Sequence, residues 1–282
     1  MATTLSLRSD RSRGFTLVEL LVVIAIIVLL LGVILTAAKY ARGASTATRE
    51  LSLGRQLVAA YTAYATDNRG LLMPGFYSLN PALPAADEKG KKLTGQTAHR
   101  WPWRLAPYLD FQLEGLVQDP FLLEDLRYTS QFSYFVSLYP SLGLNSVFLG
   151  GDSSAAGLGH NAAYAALYGK FYLTRLSQAK RPAQLIVFGS ARTNAPYEPG
   201  APPIIEGYFK IQPPRMPGSD WNQTWDPAAP ASTWGFVSMR LQKRRAAFAF
   251  LDGHVGTLDD GEVRDMRRWS DAATGPDWKL GQ

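Results

Sequence analysis

The chain has 282 residues, of which 46% are hydrophobic and 18% charged, and it carries a formal net charge of +6. This balance excludes a disordered tail and a polytopic membrane protein, and the modest positive charge suits anionic surfaces without demanding nucleic acid. The absence of cysteine removes disulfides, zinc–thiolate sites and thiol catalysis, and it leaves the compartment open.

Arg8, Arg11 and Arg13 precede Gly14, and from Leu20 to Leu35 every residue is apolar or glycine. With Phe15 and Thr16 in front and Thr36, Ala37 and Ala38 behind, the segment has about 24 residues, ~36 Å as a helix, which spans a bilayer. A cleaved secretory signal would have a shorter apolar core ending in a small-x-small site. Here Lys39, Tyr40, Ala41 and Arg42 follow, so a retained anchor is expected. Basic residues flank both sides, and charge bias gives only weak support for a cytoplasmic N-terminus. Glu19 stands inside this span, where a carboxylate is expensive and calls for a function.

The periodic pattern continues beyond the anchor. Leu51, Gly54, Val58, Tyr61 and Ala65 fall on one helical stripe, flanked by Leu53, Leu57, Ala60 and Tyr64. Asp67, Asn68, Arg69 and Gly70 read as a helix stop. One helix is therefore expected from about residue 15 to 69, on the order of 80 Å long. Its second half needs an apolar partner, and a sheet is the natural one.

In the remaining 71–282, residues 74–100 read as a loop. Residues 99–109 read as a short helix with an aromatic anchor. Trp101 and Trp103 beside Arg100 and Arg104 point to packing against the long helix rather than to a stacking surface for sugars or bases. Residues 131–149 suggest strand and turn, and 184–188 (QLIVF) a buried strand. Nine of the 18 prolines lie between Pro196 and Pro230. With Trp221, Trp225 and Trp234 they make 196–233 a surface insertion, either contacting cargo or a neighbour or merely packed. Residues 246–251 and 254–258 form two strands around an Asp252-Gly253 turn.

Asp252, His254, Asp259, Asp260 and Glu262 are the potential ligands near the C-terminus. EF-hand spacing is absent, so Asp252, Asp259 and Asp260 stay weak metal candidates and no metal is assigned. His99, His160 and His254 make no catalytic arrangement, and Gly150 to Gly159 lacks the Lys-Ser/Thr of a phosphate loop. No enzymatic activity is expected. Arg240, Lys243, Arg244 and Arg245, with Arg264, Arg267 and Arg268, read as a solvated face or a lipid or subunit contact in preference to a nucleic-acid surface.

Three stretches resemble a known family. Residues 13–20 (RGFTLVEL) resemble the cleavage and methylation signal of type IV prepilins and type II secretion pseudopilins. Residues 53–75 (LGRQLVAAYTAYATDNRGLLMPG) are similar to the helix-to-head passage of pseudopilin-like proteins. FAFLDGHVGTL with VRDMRRWS resembles the tail of pseudopilin-like proteins common in planctomycete and verrucomicrobial bacteria, although RLQKRR at 240–245 stands where that tail has a His- and Gly-rich run. Many relatives also carry a proline late in the apolar segment, where this chain has Thr36; Gly32 remains a point where the helix loosens.

The resemblance implies an α+β, pilin-like fold: a long N-terminal transmembrane helix packed on an antiparallel sheet head. It implies a cytoplasmic leader (1–14), a membrane half (15–38) and a soluble half (39–70) of the helix, and a head (71–282). A prepilin peptidase would cut between Gly14 and Phe15 and methylate Phe15, and Glu19 would serve assembly, meeting the new amine of a neighbour. The implied partners are that peptidase, other pilin or pseudopilin subunits, an inner-membrane assembly platform and the bilayer, with nucleic acid not expected. The implied location is the inner membrane, N-terminus cytoplasmic and head periplasmic, then a filament. Some relatives hold calcium near the C-terminus. The alternative is a membrane-tethered binding module, an adhesin or DNA-uptake subunit whose head binds glycan or DNA.

Overall fold

A computed structural model describes residues 16–79, 83–122, 131–153, 162–195 and 203–281. The protein is of the α+β class. Its first helix, α1, runs Leu17–Asp67. The chain divides into two compact units, one up to Ser45 and one from Thr46 to Gln282.

In the first unit the helix is continuous through Gly32. Thr36 Oγ1 donates to the Gly32 and Val33 carbonyls at 2.7 and 2.9 Å, so the hydroxyl is satisfied within the helix where a proline would have broken it. The side chains from Leu17 to Leu35 are exposed. This is a helix long and apolar enough to cross a membrane.

Among the described residues the second unit holds nine strands. They are β1 (Leu142–Asn145), β2 (Ile186–Ser190), β3 (Thr193–Asn194), β4 (Ile204–Ile205), β5 (Lys210–Ile211), β6 (Arg215–Met216), β7 (Ser219–Asp220), β8 (Ala246–Phe250) and β9 (Val255–Leu258). Five form one sheet in the order β5-β1-β2-β8-β9. All pairings in it are antiparallel except the edge strand β5, which runs parallel to β1.

Strand alternation explains how the helix docks. In β8 the odd positions are Ala247 and Ala249 and the even ones include Phe248 and Phe250. Successive side chains point to opposite faces, so the alanines face α1 and the phenylalanines fill the other layer. A Cβ on Gly54 would already sit 3.3 Å from the Ala249 Cβ. Small residues on both sides set that close approach. Around it Leu53, Leu57, Val58, Tyr61 and Ala65 pack with Trp101, Leu144 and Phe188 in the first core. Tyr61 and Trp101 each meet the Phe188 ring edge-on, at 5.8 and 5.1 Å. On the far face Ile186, Phe248, Phe250, Trp234, Met266 and Trp269 make a second core.

The helix ends as its sequence predicts. Arg69 and Gly70 take positive φ, and the Gly70 N–H returns to the Ala65 carbonyl at 2.7 Å. The β8–β9 hairpin also forms as expected, with Ala249 opposite Val255.

Three expectations need correction. Residues 74–100 are not all loop, because Gly95–His99 is helical and its His99 ring meets Phe76. Residues 131–149 begin with a helix, Phe132–Leu138, before β1, and there the adjacent Val136 and Ser137 are both buried, which breaks the alternation of a half-buried strand. The 196–233 stretch is not a surface insertion in its described part, 203–233. It supplies β5 to the main sheet and buries Trp221 in the second core, where its ring lies 4.7 Å from that of the adjoining Trp234. Prolines excluded a central strand there but not a two-residue edge strand.

Candidate functional site

The N-terminal site begins with a helix cap. Thr16 and Glu19 satisfy each other: the Glu19 carboxylate accepts from the Thr16 N–H and hydroxyl, both at 2.8 Å, and the Glu19 N–H donates to Thr16 Oγ1 at 3.2 Å. This is a Thr-x-x-Glu capping box, which leaves the carboxylate at the positive end of the helix dipole. A charge that looks misplaced in an apolar run therefore has a local reason to sit in the first turn. Glu19 is exposed, and its carboxylate is close to where the chain enters α1. Gly14 and Phe15 lie outside the described residues, as does His160.

A second polar constellation sits where α1 meets the sheet, and the sequence reading missed it. Glu50 is fully buried and Arg240 lies against it, with Nε donating to Glu50 Oε1 at 2.9 Å and Nη2 at 2.5 Å. Ser190 Oγ of β2 donates to the other Glu50 oxygen at 2.5 Å and accepts from the Ala247 N–H of β8 at 2.8 Å. Arg240 Nη1 also lies 3.6 Å from Glu206, which accepts from Ser238 Oγ at 2.6 Å. One guanidinium thus joins a helix carboxylate to a loop carboxylate. The missed signal was positional: Glu50 lies four residues before Gly54, on the same apolar stripe, where a charge implies a buried partner.

Burial raises the Glu206 carboxyl above its ordinary 4.5, against the Arg240 charge and the Ser238 hydroxyl, which both favour the anion. The folded protein then holds this proton more tightly than the unfolded chain. Its stabilising contribution is complete below 4.5 and is lost as pH rises through the folded value. Thermal unfolding of the wild type and Glu206→Gln between about pH 4 and 8 checks this. The expected result is a wild-type midpoint that falls relative to the variant as pH rises. A constant difference would sink the assignment.

The C-terminal carboxylates are committed to other partners. Asp259 caps the short helix Asp260–Val263 through the Glu262 N–H and lies 3.4 Å from Arg245. Asp260 pairs with Arg264 at 2.6 Å. Asp252 meets His254 Nδ1 at 2.6 Å at the hairpin turn. Burial works against the Asp252 charge, but the His254 ring and N–H bonds outweigh it, so the carboxyl sits below its ordinary range. Among the described residues no group of three or more acids and histidines is placed to hold a metal ion.

The basic cluster is likewise divided. Arg240 is consumed by Glu50, Arg245 by Asp259 and Glu262, Arg264 by Asp260, and Arg267 by Asp265. Arg264 also lies over the Trp234 ring at 4.5 Å. Lys243 and Arg244 remain exposed in a turn. Trp101 and Trp103 are buried, with their indole N–H groups donating to Phe209 O at 2.6 Å and Ser133 O at 2.8 Å, so neither offers a stacking face.

Comparison with known proteins bears on the first of these sites. Residues 9–35 match the family model described as the prokaryotic N-terminal methylation motif. No curated protein and no solved structure matches the chain. The matched residues span the basic leader, the Thr16–Glu19 cap and the apolar part of α1 as far as Leu35. They make this a type IV pilin-like prepilin segment leading into a single membrane-anchor helix.

Proposed function

We propose that the chain is a structural subunit of a type II secretion pseudopilus or a related type IV pilus-like filament. The observation that carries this reading is the methylation motif at 9–35 running directly into a 51-residue helix capped by Thr16 and Glu19. In this reading the chain inserts with its N-terminus in the cytoplasm and its head in the periplasm. A prepilin peptidase cuts between Gly14 and Phe15 and methylates the new amine of Phe15. The apolar faces exposed from Leu17 to Leu35 then leave lipid for neighbouring helices, driven by packing rather than by water. Glu19 supplies the counter-charge for the amine of the adjacent subunit, because an ion in apolar surroundings needs a partner. The partners are the peptidase, sibling subunits and an assembly platform in the inner membrane. The reading gives this chain no catalysis of its own and no resident cofactor.

Intact mass and N-terminal sequencing of the protein from its host's membranes test the processing step. The expected chain begins at N-methyl-Phe15. A chain that still carries residues 1–14 would reduce α1 to a plain anchor.

A further inference from the structure

Within the second unit, α1 buries one face against the sheet and leaves the opposite face open. Ser52, Gln56, Ala59 and Ala63 lie on that open face, and all four are exposed. Together with the exposed base Arg49 and with most of residues 108–118 they line a groove of about 940 Å³. Asp110 and Glu114 stand exposed on its wall, and neither has an ion-pair partner among the described residues.

The wall has an unusual backbone. Asp110 and Phe111 are consecutive non-glycine residues at φ 48° and 57°. The same arrangement recurs once among the described residues, at Lys243 and Arg244, with φ 60° and 54°. That second pair forms the tip of a turn closed by the Leu241–Arg245 bridge, and both side chains are exposed without an ion-pair partner among the described residues. Left-handed backbone at ordinary residues costs free energy and persists where the surroundings enforce it. Each turn therefore presents its side chains from a constrained backbone. One displays acid and the other displays two bases.

We infer that the groove receives the 241–245 turn of a second copy of this chain, with Lys243 and Arg244 of one head meeting Asp110 and Glu114 of the next. Complementary charge selects the register and speeds the encounter. The two surfaces are different parts of one head, so the contact is heterologous and propagates instead of closing into a dimer. This rests on the filament reading and adds to it a head-to-head contact distinct from the helix packing.

The chain has no cysteine, so introduced thiols are unique reporters. Full-length Gln112→Cys and Gln242→Cys chains carrying different tags are co-expressed in the host and mildly oxidised in intact cells. The expected product is a disulfide dimer containing both tags, with little dimer from either variant alone. Adding Lys243→Glu and Arg244→Glu to the second chain lowers its yield roughly fivefold or more, and adding Asp110→Lys and Glu114→Lys to the first restores it. A same-tag dimer of Gln112→Cys, an adduct with a different protein, an insensitive yield or no cross-link each overturns the contact. If the cross-link is absent while the chains still assemble, the filament reading stands. If the chains stay monomeric and keep residues 1–14, both readings fall.

Discussion

Arg240→Ala is expected to destabilise the head by about 3–5 kcal/mol, because it strands a fully buried carboxylate. Glu50 would keep only the Ser190 hydroxyl, and its side chain has no exposed surface in the folded protein. At ~2–4 °C per kcal/mol for a unit of this size, the unfolding midpoint should fall by roughly 6–20 °C. Glu50→Ala should cost less. The Arg240 side chain is 22% exposed, and it retains Glu206 at 3.6 Å, so the orphaned guanidinium can reach solvent and a second carboxylate. The asymmetry separates a buried-charge mechanism from simple loss of contact, which would penalise both truncations alike. Replacing the pair together, Glu50→Leu with Arg240→Met, removes both desolvated ions and should recover most of the loss. Thermal melts of the full-length chain in detergent, followed by near-ultraviolet circular dichroism, give all three values. Equal losses for the two alanine variants, or a double variant no better than Arg240→Ala, would reject this account.

What the sequence discloses about this molecule follows from the range over which each signal acts. The end of α1 is local: Asn68, Arg69 and Gly70 sit within one turn of the carbonyls they must satisfy, and the stop is legible in four letters. The β8–β9 hairpin is local too, since Asp252 and Gly253 join two strands already marked by alternation. The Thr16–Glu19 cap spans four residues, and the processing motif is contiguous. The polar joint between helix and sheet is the reverse. Glu50 and Arg240 are 190 residues apart, and neither has a motif around it. Read alone, Glu50 looks like a break in an apolar stripe and Arg240 like one of several bases. The Pro- and Trp-rich stretch misled for a related reason. Proline density describes what backbone is forbidden, while the burial of Trp221 and Trp234 depends on Trp269 and Arg264, which arrive from later in the chain.

Glu19→Ala is expected to insert and be processed normally and to lose filament incorporation by about tenfold or more, since the neighbour's ammonium would be left without a counter-ion in apolar surroundings. The capping box complicates that single substitution. Glu19 also accepts two hydrogen bonds from Thr16, so alanine removes a helix cap along with a charge. Two further variants separate these effects. Glu19→Gln keeps an acceptor at the third helical position and hence the reciprocal cap, but carries no charge. Thr16→Val keeps the carboxylate and removes the hydroxyl that it accepts from. If the charge assembles the filament, Glu19→Gln fails as completely as Glu19→Ala, while Thr16→Val assembles with at most a modest deficit. If the cap alone matters, the order reverses: glutamine assembles and valine does not. Quantifying sheared or cross-linked filaments against total membrane-bound subunit, with processing scored by mass in the same samples, distinguishes the two orders. It also keeps a defect in cleavage at Gly14 from being mistaken for one in assembly.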